Sequence, residues 1–556
     1  MPNFIRAKKL SVPMLVSMAL ILAACGGGGG SGTPPPPADP DPSGLGPDST
    51  GRYADARGFY PDAAGRYPDS HGLYPNASGV YPTNAEAGMF TNEFGTARSY
   101  STAGAIDTSS ANPFFKSFGN GRTCASCHVQ GEGFSITPKG LQARFDSTNG
   151  TDPIFLPNDG SNSPSAPVGT VAEKRTAYSL LLNKGLIRVG IKMPATAEFA
   201  LDSVSDPYNF ASATELSLFR RPLPSTNLRF LASVMWDSRE TVKVIPGPAG
   251  DSAAYLAYPR CIRTTFPAVV PAATATQWNC YEDFNIDLKN QANNATLGHA
   301  QAATALTPAE QEAIRAFEMS LFSAQEYDKA AGFLTSANVK GGTKELTTVD
   351  YYFDINSVFG DPKTGLPSAT TKLTVMQLYE KWLTTSGTKS ASVAAARASI
   401  ARGQDIFNTR TFKMVGVGGT RTTTVTGATC TNCHSVPQVG SLAQPNLFAI
   451  GVGDPAFSSS ADLPTYTFVN TTTGANAGKK ITVQDPGLAL QTGKWADMGK
   501  FKVSALRGLA MRPPYFHDGS AATIEDTIAF YIKRFTYDTP LTAQDIADLA
   551  AFLKSL

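Results

Sequence analysis

Five histidines occur in the 556 residues of this chain, and two of them close the strings CASCH, residues 124 to 128, and CTNCH, residues 430 to 434. Cys-x-x-Cys-His is the attachment signature of a c-type haem: two thiols add to the haem vinyl groups and the next residue offers an imidazole to the iron. One such pair could also be a thioredoxin-like redox centre, and two could make a four-thiolate zinc site. The redox reading lacks a βαβ pattern around either motif, and the zinc reading does not explain why histidine follows both pairs. Two covalently attached haem c groups are therefore expected, on Cys124 and Cys127 and on Cys430 and Cys433, with His128 and His434 as proximal iron ligands.

Three cysteines remain. Cys25 ends the string LAAC after a basic start (Arg6, Lys8, Lys9) and the apolar run VPMLVSMALILAA, the pattern of an exported precursor. LAAC resembles a lipobox, which implies a lipid on Cys25 and a periplasmic or outer-surface protein anchored to the membrane by that lipid alone; the alternative is an ordinary signal peptide. The apolar run is shorter than the roughly 20 residues of a spanning helix. Cys261 and Cys280 lie 19 apart in YPRCIRTTFPAVVPAATATQWNCYED. In an oxidising compartment they read as a disulfide stabilising by about 3 kcal/mol, with a free thiol pair as the alternative.

Between the anchor and the first motif, GGGGGSGTPPPPADPDPSG reads as a flexible tether. A repeat follows with Gly-x-Tyr at Gly51, Gly58, Gly65, Gly72 and Gly79; Pro61, Pro68, Pro75 and Pro82 forbid a helix, so a run of turns is expected. It reads as a stalk, a partner-binding strip or a segment packed on the main body, with His71 solvated inside it. With 17% charged residues and a formal net charge of +2, nothing points to a nucleic-acid partner.

The rest reads as mainly α, with helices joined by long loops. Thr307-Pro308-Ala309-Glu310 is a capping box with proline at the first helical position, and Ile314, Phe317 and Leu321 continue on one face. Thr542 opens a last helix with Ile546, Leu549, Leu553 and Leu556 as its stripe; SVAAARASIARGQDIFN precedes the second motif, and a break is expected near residues 384 to 392.

At this point the chain resembles the bacterial dihaem cytochrome c peroxidase and MauG family. CASCH, VMWDSRE with the later LKNQA, CTNCHSVPQVG, and FKVSALRGLAMRPPYFHDGSAATIEDTIAFY match in order, over about residues 105 to 556. The resemblance implies two cytochrome c-like haem domains after the leader. The expected order is a signal peptide (1–24), a tether (25–50), the repeat and linker (51–104), an N-terminal open-haem domain (105–385) and a C-terminal electron-transfer haem domain (386–556).

It also implies residue roles. Trp236 matches a tryptophan that passes electrons or holes between the haems, and Gln291 a glutamine of the peroxide pocket. Ten residues later the family has an acid–base glutamate; here the position is Gln301, and an amide cannot shuttle a proton. Gln301→Glu is accordingly expected to raise turnover. His299 could take over proton transfer, bind the first iron or be structural. No histidine lies between His128 and His299, so the first iron reads as open unless His299 closes it. The family's interdomain calcium maps near Arg221 and Arg512, and arginines beside a dication are unfavourable, so calcium is not carried over. The second iron's distal ligand falls on Tyr531, with His517 as the fallback. Ile524, Ile528, Tyr531 and Phe535 share a helical face, which fits a ligand or a core tyrosine alike.

These roles imply a peroxidase using hydrogen peroxide and an electron-donor redox protein or organic substrate. The alternatives are a dioxygen-using oxygenase of the rubber-oxygenase type, MauG-like maturation of a partner, and a non-catalytic electron-transfer cytochrome.

Overall fold

The computed structural model describes residues 47–48, 50–55, 59–68, 74–75, 88–241, 243–247, 261–263, 278–356, 375–384, 390–417 and 424–556. Cys25, His71 and most of the tether lie outside these residues, as does much of the expected break at 384 to 392. Residues Asp41–Leu556 form one compact unit. No helix among the described residues is long and apolar enough to cross a membrane.

The helices begin where their caps predict. Thr307 accepts from Glu310 N and Glu310 reaches back, opening Pro308–Ser320. Thr523 and Asp526 do the same for Ile524–Arg534, and Thr542 and Asp545 for Ala543–Lys554. Each box satisfies amide donors that the first helical turn leaves without partners. Ile314 and Leu321 bury with Phe114, Phe134 and Ala292; Leu549, Leu553 and Leu556 bury with Ile400, Ile524 and Ile528. Helix Ala391–Thr409 packs so tightly on Ala543–Lys554 that a Cβ on Gly403 would stand 2.0 Å from Asp548 O.

A mainly α description does not cover the whole chain. The described residues also form seventeen short strands in six antiparallel sheets. The largest joins Met89–Thr91, Gly95–Ser101, Leu321–Asp328 and Gly332–Phe333. Another pairs Phe199–Ser205 with Thr465–Asn470, linking segments on either side of the expected break. Cross-strand pairing of this kind is set by distant segments and leaves little local periodicity.

The Gly-x-Tyr repeat, where described, is a series of turns. Asp48 and Asp62 accept from the backbone amides of Arg52 and Arg66, with Gly51 and Gly65 at φ 79° and 77°. Tyr67 and Tyr74 donate to the carbonyls of Tyr53 and Tyr60, two repeats back. Phe59 is buried edge-on against Phe333, 4.7 Å between centroids, so this part of the repeat packs on the main body.

Candidate functional site

The two Cys-x-x-Cys-His strings fold alike. Thr123 with Ser126, and Thr429 with Asn432, cap single 3₁₀ turns, Cys124–Ser126 and Cys430–Asn432. Each turn places two thiols and the following imidazole in the wall of a cavity, of about 180 Å³ at Cys124, Cys127 and His128 and about 220 Å³ at Cys430, Cys433 and His434.

The histidines are held identically. His128 Nδ1 sits 3.0 Å from Phe134 O and His434 Nδ1 2.5 Å from Gly440 O, in each case the carbonyl six residues on. A carbonyl only accepts, so Nδ1 carries the proton and Nε2 keeps its lone pair. Burial holds both imidazoles below the usual range, His434 to about 4, so both are neutral, as an iron ligand must be. Burial pushes the thiols the other way, Cys127 to about 11 and Cys124, Cys430 and Cys433 to about 12. Redox-active cysteines have depressed values instead. Among the described residues no cluster of three or more His, Cys, Asp or Glu could hold a metal, so the four thiols do not form a shared zinc site. The donor set fits covalent haem: paired free thiols, a neutral oriented imidazole and a deep apolar cavity.

Trp236 lies in the wall of both cavities, its Nε1 donating to Arg221 O at 2.7 Å. Next to it a buried network joins Arg220 to Asp237 (2.6 Å) and Asp485 (2.7 Å). The sequence reading singled out Trp236 but not this network, in which Asp485 lies 265 residues from Arg220.

Helix Phe284–Gly298 brings Gln291 to the first cavity and ends on His299 as its C-cap. His299 also lines this cavity. Its Nδ1 is 2.7 Å from Asp159, which is ion-paired to buried Arg122. Burial alone would raise the Asp159 carboxyl, but the hydrogen bond from His299 and the charge of Arg122 outweigh it and hold it below the usual carboxylate range. The pair fixes the His299 tautomer with Nε2 free. Gln301 does not join them. Past the helix end the backbone turns through φ 51° at Gln301, and the exposed side chain accepts from Asn120 Nδ2 at 3.1 Å, outside the cavity lining. The position counted from Gln291 therefore lies outside the lining of the first cavity.

Tyr531 and His517 both line the second cavity, in different settings. Tyr531 projects from helix Ile524–Arg534 among Phe516, Phe530 and Phe535, and its hydroxyl has no hydrogen-bond partner among the described residues. Burial, then the nearby Cys433 and Cys430, push its phenol above the usual range, so it ionises there only beside a cation. His517 is stacked on Phe501, centroids 3.9 Å apart, edge-on to Trp236 at 6.2 Å, with Nε2 3.9 Å from Asp485.

Arg221, near which the resemblance maps one calcium-ligand position, is itself held by backbone carbonyls. Its guanidinium donates to Lys184 O (2.8 Å), Ile136 O (2.7 Å) and Arg512 O (3.2 Å), a fixed cation ringed by carbonyl oxygens. Cys261 and Cys280 stand directly opposite each other in paired strands, the register a cross-strand bridge needs.

One residue escaped the sequence reading. Glu318 lies on the buried face of Pro308–Ser320, four residues after Ile314, and its carboxyl lines the first cavity with Oε2 lacking a partner among the described residues. It faces Ser225, whose Oγ is 3.1 Å from His128 Nδ1. Burial pushes the carboxyl up to about 7 from the model-compound 4.5. The folded state then holds the proton more tightly than the unfolded state. Stability is highest below pH 4.5 and falls as pH rises toward about 7. Glu318→Gln removes that slope and should gain about 3 kcal/mol over wild type between pH 5 and pH 8, at 1.36 kcal/mol per unit. Urea unfolding of the holoprotein at the two pH values checks it; equal slopes would show that Glu318 does not titrate there.

No protein-family model matches the chain. Among curated proteins it is similar to the cytochrome c551 peroxidase of Nitrosomonas europaea, 24% identical over 235 residues, 41% of this chain and 58% of that protein. It is also similar to a cytochrome-c peroxidase of Denitromonas iodatirespirans, 33% identical over 88 residues, 14% of this chain and 23% of that protein. The chain thus spans less than two thirds of the length of these relatives. Among solved structures, a MauG-like protein associated with microbial copper homeostasis has 16% identity and a TM-score of 0.30, over 80% of this chain and 86% of that one. That likeness is too loose to bear on the fold.

Proposed function

We propose, from the premise that this chain is a member of the bacterial dihaem cytochrome c peroxidase and MauG family, that it is an exported dihaem c-type oxidoreductase reducing hydrogen peroxide. The observation that most supports this is the placing of Trp236 in the walls of both cavities. His128 and His434 would each hold an iron through Nε2, with Cys124, Cys127, Cys430 and Cys433 as the covalent anchors. Haem bound there supplies the redox chemistry on peroxide.

The chain's own residues handle position and protons. Peroxide takes up two electrons and two protons to give two waters. His299, held by Asp159, is the proton carrier: Nε2 accepts a proton from incoming peroxide and returns it to the departing oxygen. Gln291 orients the peroxide through its amide. Trp236 conducts between the sites, and an external redox protein supplies the electrons.

Tyr531 favours the MauG-like direction of this traffic. A phenol oxygen in the second cavity without a partner among the described residues suits tyrosinate ligation, and an anionic oxygen ligand stabilises ferric over ferrous iron. The second site would then hold an oxidising equivalent better than it stores reducing electrons. Export and a lipid on Cys25 rest on the leader sequence, and place the reaction in the periplasm or on the outer surface.

Low-temperature EPR of the purified holoprotein should give one high-spin and one low-spin ferric signal, the high-spin one lost on adding peroxide. Two low-spin signals indifferent to peroxide would overturn the reading and leave an electron-transfer cytochrome.

A further inference from the structure

Lys502 is buried, 8% exposed, and lies in the walls of both cavities. Its backbone is fixed: Lys502 N donates to Trp236 O at 2.9 Å, and Phe501–Lys502 pairs with Leu447–Phe448. Its ammonium has three protons to donate, and the described residues supply one acceptor, Ser233 O at 3.2 Å. No carboxylate pairs with it among them, and the charge felt by it is that of another cation, Arg512. The other cations of this wall are accounted for. Arg220 is paired with Asp237 and Asp485, Arg221 donates to three carbonyls, and Arg512 donates to Ala505 O and Arg507 O.

A buried ammonium with no anion is costly, and the described residues offer none. The cavities that Lys502 lines are where such an anion can bind. A c-type haem carries two propionate carboxylates on its periphery, which suit an ammonium on a flexible four-carbon stem. We propose that Lys502 is a shared counter-charge for the two haems, its ammonium pairing with a propionate of each across the wall that also holds Trp236. Burial without a counter-anion pushes the ammonium down to about 7, in line with a site completed by its anions. The proposal rests on the two-haem reading above. It adds an electrostatic link between the haems, since a change of charge at one is felt at the other through one ammonium.

The test is a spectroelectrochemical titration of Lys502→Met, which keeps most of the stem, and Lys502→Arg, which keeps the charge, with haem counted by pyridine haemochrome. A nearby cation favours the ferrous state, so its loss lowers the potential. In Lys502→Met with two haems attached, both midpoints should fall by at least about 59 mV, a tenfold change in the ferric-to-ferrous ratio for a one-electron couple. Lys502→Arg should stay near wild type. A fall at one haem only, or at neither, overturns this proposal alone. If Lys502→Met does not take up both haems, the crystal structure of the wild-type holoprotein decides. A propionate oxygen from each haem within about 4 Å of Nζ upholds the proposal, and anything less overturns it. Fewer than two haems in wild type would overturn the two-haem reading, and this proposal with it.

Discussion

Replacing His299 with alanine should slow the reaction with hydrogen peroxide by about 10²- to 10⁴-fold, the range over which a positioned proton-transfer group acts. The side chain is built for the task. Nδ1 is committed to Asp159 at 2.7 Å, Arg122 secures that carboxylate, and the imidazole remains 40% exposed on the first cavity. Stopped-flow mixing with peroxide measures the rate directly. The sign separates two roles: loss of a proton carrier slows the reaction, whereas loss of an iron ligand opens the iron and speeds it. Asp159→Asn should give a loss of the same sign with the histidine still present. Gln301→Glu should leave the rate within about twofold of wild type, under 0.5 kcal/mol in barrier, since that side chain is tied to Asn120 outside the cavity.

That contrast shows what a linear reading can and cannot deliver. Counting ten residues from Gln291 assumes that the helix and the turn after it keep one path. Here the helix stops at Gly298, His299 caps it, and the left-handed turn at Gln301 carries the counted position outward. Asp159 was out of reach because it lies 140 residues from His299 and carries no motif. Glu318 had a signal that went unread: a carboxylate four residues after Ile314 in an amphipathic helix falls on the buried stripe. The features that were legible are local ones. The haem-attachment strings, the capping boxes at Thr307, Thr523 and Thr542, and the inward face carrying Tyr531 are all set within a few residues. The sheets were missed because their strands are only two to eight residues long, and some, such as Gly95–Ser101 and Phe199–Ser205, pair with partners far along the chain.

Trp236→Phe should leave both haems attached and the first reaction with peroxide intact, yet lower steady-state turnover with an electron donor about a hundredfold, or roughly 2.7 kcal/mol in barrier. Phenylalanine fills much of the same space between the cavities. It lacks the Nε1–H that anchors the ring to Arg221 O at 2.7 Å, and benzene is far harder to oxidise than indole. The surroundings suit an indole that is briefly electron-poor. Asp237 and Asp485 are buried around Arg220, and partly exposed Arg239, which also lines the first cavity, contacts Asp237 at 3.3 Å. His517 packs edge-on against the ring and burial keeps it neutral, so it adds no opposing charge. The discriminating measurement is made after one equivalent of peroxide, when the second haem's spectrum is followed in time. In wild type the second haem should respond together with the first. In Trp236→Phe it should lag while the first reacts at its normal rate. Simultaneous changes in the variant would mean that charge crosses elsewhere, and that Trp236 is packing between two independent haems.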